Sequence, residues 1–220
     1  MKIMETFLSI QGEGVNSGLP TFFIRLAHCN LRCSYCDTKY SYNGGKDMHI
    51  EEIINVVKKD SNGFKLVCIT GGEPLIDKDI SLLIKRLLEE GYQIDIETNG
   101  SKLIDEFPNT DNILYSIDIK CPLSGMADKM NFDNLKFVKY KDQIKFIIGD
   151  HDDFLYAKNI INKYKLVDKT NIIFSPIGGI DGDKLTRWTL SEKVQARISL
   201  QLHKIIWKSD KDELFLVDKT

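Results

Sequence analysis

Three thiols fall within eight residues, Cys29-Asn30-Leu31-Arg32-Cys33-Ser34-Tyr35-Cys36, and they define the chemistry to be explained. Thiolates are soft ligands that suit iron–sulfur clusters or zinc. A four-then-three spacing lets one loop set three sulfurs around a single cuboidal cluster. It leaves the fourth iron open for chemistry, whereas structural sites normally close every position. Structural zinc is the competing reading, with Cys68, Cys121 or His28 as the fourth ligand. Cys68 lies inside the apolar run Leu66-Val67-Cys68-Ile69, where a small buried hydrophobe is expected. His28 is expected to pack in its loop and point elsewhere, and Cys121 opens a later loop with no role assigned. A second candidate is the turn Gly71-Gly72-Glu73-Pro74. Its glycines let backbone approach a ligand closely, and Glu73 can oppose an ammonium.

The elements that must carry these residues alternate along the chain. Strand-like runs cover Thr21–Leu26, Leu66–Thr70, Gln93–Glu97, Leu114–Lys120, Gln143–Ile148 and Asn171–Ser175, with a last one expected near Ser199–Ile206. Between them, Ile50, Ile53, Ile54 and Val57 make a helical stripe, as do Ile80, Leu83, Ile84, Leu87 and Leu88, closed by Gly91. Phe154, Ala157, Ile161 and Tyr164 make a third. This alternation predicts an α/β fold with βαβ units around a parallel sheet. In Gln93-Ile94-Asp95-Ile96-Glu97 and Ser116-Ile117-Asp118-Ile119-Lys120 one strand face is apolar and the other polar. A strand buried in an open doubly wound sheet would be apolar on both faces. The pattern fits a barrel with helices outside and a wet lumen, or else an edge strand solvated on one side. A full eight-fold barrel takes about 250 residues. With 220 residues, a partial or reduced (β/α) barrel in a single domain over 1–220 is expected.

Composition narrows the function class. The formal net charge of −2 comes from 30 basic and 32 acidic residues that are interspersed, with no basic block to neutralise a run of phosphates. No nucleic-acid partner is expected. No apolar run approaches the roughly 20 residues of a membrane span, and the N-terminus lacks a basic-then-apolar plan, so no membrane partner and a cytoplasmic setting are expected. Five cysteines, three of them clustered, point to metal rather than disulfides.

Cys-x3-Cys-x2-Cys after the first barrel strand, with Gly71-Gly72-Glu73-Pro74 after the next, resembles the radical S-adenosylmethionine (SAM) superfamily. The resemblance implies a [4Fe–4S] cluster on Cys29, Cys33 and Cys36, and a fold of the radical SAM type. It also implies SAM contacts from Tyr35, Asp37, Gly71, Gly72, Glu73, Glu97, Asn99 and Ser116. Polar strand-end residues also serve simply to cap backbone. Lys120 and Ser175-Pro176 stand at further strand ends, where barrel enzymes keep their sites.

The segment Phe7-Leu8-Ser9-Ile10-Gln11-Gly12-Glu13-Gly14, Cys36-Asp37-Thr38 and Gln201-Leu202-His203-Lys204 with Trp207 are similar to signatures of the 7-carboxy-7-deazaguanine synthase family. The resemblance runs from about Phe7 to Trp207, leaving 208–220 as a C-terminal extension. It implies a lyase of the queuosine precursor pathway acting on 6-carboxy-5,6,7,8-tetrahydropterin. Reductive cleavage of SAM gives a 5′-deoxyadenosyl radical that takes the C6 hydrogen. As the resemblance implies it, the ring then contracts, hydrogen returns from 5′-deoxyadenosine, and loss of ammonia gives 7-carboxy-7-deazaguanine. Implied substrate residues are Ile10, Gln11, Gly12, Glu13, Arg25, Thr70, His203 and Trp207, with Thr38 as a magnesium ligand. Implied partners are an electron donor such as flavodoxin or ferredoxin, and a second copy in a homodimer. From the residues alone, Arg25 either forks onto a carboxylate or pairs with Glu13 or another local acid, and Thr38 either meets magnesium or caps a helix. Gln11 and Gly12 either bond a pterin ring or make a simple turn, and Trp207 and His203 also suit the core. Two rivals remain: an activase of glycyl-radical enzymes with the same cysteine spacing, and a non-enzymatic metal-bearing module. The Ser-x-Gln-Gly-Glu-Gly segment and Arg25 favour a small anionic substrate.

Overall fold

The computed structural model describes residues 1–177 and 181–207; the extension at 208–220 lies outside the described residues. Nine strands make one sheet: β1 (Lys2–Ile10), β2 (Pro20–Leu26), β3 (Lys46–Asp47), β4 (Leu66–Gly71), β5 (Gln93–Thr98), β6 (Ile113–Ile119), β7 (Gln143–Ile148), β8 (Asn171–Pro176) and β9 (Arg197–Ile198). Their order is β3-β1-β2-β4-β5-β6-β7-β8-β9. Every pairing from β2 to β9 is parallel, while β1 runs antiparallel to both β2 and β3. The sheet does not close, so the architecture is a partial barrel of the kind expected. Its edge strands, β3 and β9, are two residues long, too short to template another chain.

Helices form where the three apolar stripes placed them, and in two further places that no stripe marked. They are α1 (Ile50–Asp60), α2 (Ile80–Glu89), α3 (His151–Tyr164), α4 (Gly182–Ser191) and α5 (Leu202–Ile206). In α1, Ile53, Ile54 and Val57 are buried. Its start is held by a reciprocal capping box between His49 and Glu52, with acids in the first turn and lysines in the last. Just past the α2 cap, Gly91 takes a φ of +77°, which a side chain would resist. No full helix follows β5 or β6. Short 3₁₀ turns at Ile104–Glu106, Pro122–Ser124, Ala127–Lys129 and Phe132–Lys136 fill those crossovers, so the barrel is reduced as well as partial. Buried Asn134 braces this stretch, donating to Gly100 O and Lys102 O and accepting from Ile104 N.

The two faces of the sheet part as their alternation predicted. Ile94, Ile96, Ile117, Ile119, Ile144 and Phe146 point into the outer core. On the inner face, Asp95 is 4% exposed, Ser116 3% and Lys145 8%. The inner face is therefore a lumen wall, and the solvated-edge alternative falls away. Two stretches of the chain carry the main differences from expectation. The N-terminal segment is strand β1, hidden in the sequence because every residue but Ile3 is half-buried and neither face is purely apolar. The strand expected near Ser199–Ile206 is instead β9 at Arg197–Ile198, followed by helix α5. After Ser199 N bonds Phe174 O, the chain crosses the lumen mouth, and Leu202 N bonds Gly12 O at 2.9 Å. Leu202, Ile205 and Ile206 have helical spacing, so the apolar content there was read with the wrong period.

Candidate active site

The C-terminal ends of the parallel strands open into one cavity of about 980 Å³. Its wall gathers Cys29, Cys33 and Cys36 with Tyr35, Asp37, Thr38, Ile10, Gln11, Gly12, Glu13, Arg25, Thr70, Gly71, Gly72, Glu97, Asn99, His203 and Trp207. Residues scattered across the sequence thus meet in one chamber. Cys68 and Cys121 are fully buried and do not line it, so neither is a fourth ligand. His28, expected to pack, is exposed with its Nδ1 3.3 Å from Tyr42 O. Among the described residues, no three His, Cys, Asp or Glu side chains gather around a single-ion site.

The glycine turn owes its composition to the neighbouring strand. A Cβ on Gly71 would lie 2.2 Å from Leu26 O, and one on Gly72 1.8 Å from His28 O. Gly72 N bonds Leu26 O at 3.0 Å and Glu73 N bonds His28 O at 2.8 Å, so the turn is stapled beside the first cysteine. The close approach expected towards a ligand is first of all an approach to the backbone at Leu26 and His28, beside the cysteine loop. Glu73 itself corrects the reading: its carboxylate turns away from the cavity. It accepts from Leu75 N, Thr98 Oγ1 and Asn99 N at 3.0, 2.7 and 2.6 Å. Burial outweighs these three donors and pushes its pKa up. Ser116 is likewise off the cavity, accepting from Gln143 Nε2 at 2.8 Å below the lumen floor.

Arg25 stands directly opposite Glu5 in the β1–β2 ladder, and its Nε donates to Glu5 Oε1 at 2.7 Å. Tyr40 Oη donates to the same oxygen at 2.8 Å. The local acid is thus Glu5; Glu13 is engaged elsewhere. The two Nη groups of Arg25 have no hydrogen-bond partner among the described residues, and the side chain lines the cavity. Thr38 precedes a 3₁₀ turn, Lys39–Tyr42, without capping it by its side chain. Its hydroxyl instead donates to Asp37 Oδ1 at 2.8 Å, so the capping alternative fails.

Sequence reasoning did not single out Lys145 or assign a role to Asp118. Lys145 Nζ sits 3.0 Å from Glu13 Oε2 and 3.2 Å from Asp118 Oδ1, and Lys120 Nζ is 2.7 Å from Asp118 Oδ2. Gln201 Nε2 donates to Glu13 Oε1 at 2.7 Å. Burial pushes the Glu13 carboxyl up, but Lys145 and the Gln201 amide outweigh it and hold it below the ordinary carboxylate range. Asp118 is lowered likewise, burial being outweighed by Lys120 and Lys145. The available signal was a lysine amid the apolar run of β7, Gln143-Ile-Lys-Phe-Ile-Ile, which needs buried anions to hold it. His203 packs so closely that a Cβ on Gly12 would meet its Nδ1 at 2.0 Å, which explains the glycine there.

A test of fit comes from polar atoms left over. Tyr35 Oη, Ser175 Oγ and Trp207 Nε1 are buried on the cavity wall with no hydrogen-bond partner among the described residues. Buried polar groups are normally satisfied. The wall is thus shaped for a ligand with polar edges, and three thiols on a single loop suit an iron–sulfur cluster with an open iron.

Comparisons agree with this geometry. The family model described as the radical SAM superfamily matches residues 24–147. A 7-carboxy-7-deazaguanine synthase of Methanospirillum hungatei is 44% identical over 207 residues, covering 94% of this chain and 85% of the relative. One of Clostridium acetobutylicum is 39% identical over 219 residues, covering 96% and 97%. Among solved structures, QueE from Escherichia coli matches with a TM-score of 0.75 at 24% identity, over 91% of this chain and 93% of that one, a likeness of fold.

Proposed function

The chain belongs to the 7-carboxy-7-deazaguanine synthase family of the radical SAM superfamily, and from that premise we propose that its cavity converts 6-carboxy-5,6,7,8-tetrahydropterin to 7-carboxy-7-deazaguanine with release of ammonia. The observation that carries this reading is the convergence of the three cysteines, the Gly71-Gly72 turn, Arg25 and Thr38 on one chamber. The whole of 1–220 is read as one radical SAM domain, with 208–220 as its extension.

Cys29, Cys33 and Cys36 hold the cluster, while Tyr35, Asp37, Gly71, Gly72, Glu97 and Asn99 face SAM. When bound, cluster and SAM together supply a carbon radical able to remove a hydrogen atom. The chain's own share is binding, orientation and exclusion of water. Arg25, steadied through Nε by Glu5, offers its two free Nη groups to the substrate carboxylate. The loop Ile10–Glu13, with Thr70, His203 and Trp207, encloses the pterin. Thr38 is the proposed magnesium ligand, a hard oxygen suited to that ion. Glu73 and Ser116 act from behind the wall. The chain from Ser199 to Trp207 closes the mouth through Gly14 N–Ser199 Oγ at 3.2 Å and Leu202 N–Gly12 O. An electron donor such as flavodoxin or ferredoxin, a homodimer, a cytoplasmic setting and no nucleic-acid or membrane partner complete the proposal; no helix among the described residues is long and apolar enough to cross a membrane.

The test is an anaerobic assay with the carboxylated tetrahydropterin, SAM, magnesium and a reductant. Ring-contracted product whose formation requires both SAM and the reductant is the expected outcome. SAM cleavage that is indifferent to the pterin would point to the protein-activating rival.

A further inference from the structure

We propose that Asn99 is a positioning residue for electron entry, its side-chain amide donating to Cys29 Sγ and so raising the reduction potential of the cluster that Cys29 holds. The proposal rests on the cluster assignment alone and goes beyond Asn99 as a SAM contact.

The donor is in place and cannot easily turn. Asn99 Nδ2 lies 3.7 Å from Cys29 Sγ and 2.9 Å from Asn30 Oδ1. One amide hydrogen serves each acceptor. Asn99 Oδ1 accepts from Ser101 N at 3.0 Å, and Asn30 Nδ2 donates to Ser101 Oγ at 2.8 Å. Flipping the amide would set oxygen against Asn30 Oδ1 and the sulfur, and NH₂ against the Ser101 N–H, losing all three bonds. The backbone beneath is equally fixed. Glu73 Oε2 takes Asn99 N at 2.6 Å, and Glu73 Oε1 takes Thr98 Oγ1 and Leu75 N. Glu73 is 1% exposed and Asn99 7%. A buried carboxylate with three donors thus locks one turn, so that its asparagine addresses a cluster ligand on another loop.

The physical consequence follows from charge. Taking one electron from a donor makes the cluster more negative, and an N–H aimed at a ligand sulfur stabilises the reduced state more than the oxidised one. Hydrogen bonds to the sulfurs are among the determinants of cluster potential.

The experiment is an anaerobic titration of the reconstituted enzyme, poised with dithionite and mediators and followed by electron paramagnetic resonance, without SAM or pterin. Asn99→Ala removes the donor. Asn99→Asp keeps an oxygen for Ser101 N, removes the donor and adds negative charge. The expected order of midpoints is wild type highest, Asn99→Ala lower, Asn99→Asp lowest. A role confined to bracing the turn would change iron content or thermal stability and leave the midpoint in place. Fully loaded variants whose midpoint is unchanged or raised overturn the proposal. Should neither variant keep its cluster, the wild type decides: with ¹⁵N-labelled asparagine, a nitrogen coupling to the reduced cluster in double-resonance spectra upholds the bond and its absence overturns it. Because neither SAM nor pterin is present, failure here is distinct from failure of the proposed reaction.

Discussion

Lys145→Met tests the electrostatics of the lumen. The substitution preserves most of the side-chain volume and removes the one cation bonded to Glu13 among the described residues. Asp118 keeps Lys120 at 2.7 Å, so the damage concentrates on Glu13. Breaking a buried ion pair by removing one partner costs about 3–5 kcal/mol. Glu13 is still 14% exposed and retains the Gln201 amide, which places the cost near the lower end, about 3 kcal/mol. For a chain of this size that lowers Tm by roughly 6–12 °C.

The pH dependence fixes the sign. In the wild type the folded Glu13 value lies below the ordinary one, because Lys145 and Gln201 outweigh burial. Its stabilisation is therefore present above the ordinary carboxylate value of about 4.3 and is lost as pH falls through the folded value. Without Lys145, burial is uncompensated and the folded value rises above the ordinary one. The sign then inverts: the contribution survives at acid pH and is lost as pH rises. The Tm deficit of Lys145→Met should thus be smallest at acid pH, below the lowered folded value of wild-type Glu13, and grow as pH rises through and beyond the ordinary carboxylate value. Adding Glu13→Gln to the variant removes the stranded charge and should recover most of the deficit. Thermal unfolding of holoenzymes with matched iron content, across this range, reads all three proteins. A deficit that is flat with pH, or that Glu13→Gln does not relieve, refutes the ion-pair argument.

Other outcomes follow from the same chamber. Arg25→Lys keeps charge but loses the fork, so product formation should fall on the order of a hundredfold while SAM cleavage persists; normal turnover in Arg25→Lys and Arg25→Ala would leave Arg25 only its bond to Glu5. Thr38→Ala should blunt the response of turnover to magnesium at unchanged iron content, and a titration identical to wild type removes Thr38 from the metal. Replacing Cys29, Cys33 or Cys36 by alanine should abolish cluster binding. Cys68→Ala and Cys121→Ala should keep about four irons per chain, as a single cuboidal cluster requires.

What was legible in the sequence was what one strand or one loop carries. The cysteine loop, the stripes of α1 and α2, and the Ile–acid alternation of β5 and β6 each state their role locally, because periodicity is a local property. The strands that alternate cleanly landed on the correct faces. Strand β1 did not, since a half-buried strand next to the sheet's edge has no apolar face to announce it. Pairings escaped for a different reason. Arg25 with Glu5, and Lys145 with Glu13, join residues 20 and 132 positions apart. Only the β1–β2 register and the return of the 11–19 loop over the lumen decide which acid each base meets. Glu73 shows the same limit: its type suggested an ammonium partner, but the strand end beside it supplied three donors first.

These pairings also constrain what the chamber accepts. The cations on its wall are already matched: Arg25 with Glu5, Lys145 and Lys120 with Glu13 and Asp118, and Lys204 Nζ with Asp37 Oδ2 at 3.9 Å. Glu97 is the exception among the lining acids. Its partners among the described residues are neutral, Thr70 Oγ1 at 2.6 Å and Gln11 Nε2 at 3.4 Å. A cationic ligand therefore finds a carboxylate ready for it, which suits the ammonium and sulfonium of SAM. An anionic ligand finds no uncommitted cation; it shares Arg25 with Glu5 or brings positive charge with it. Moving a carboxylate into a site this buried without such charge is expensive. That imbalance is the reason a divalent ion at Thr38 belongs to the proposed function: such an ion would neutralise the substrate carboxylate without dissolving the ion pairs that shape the wall.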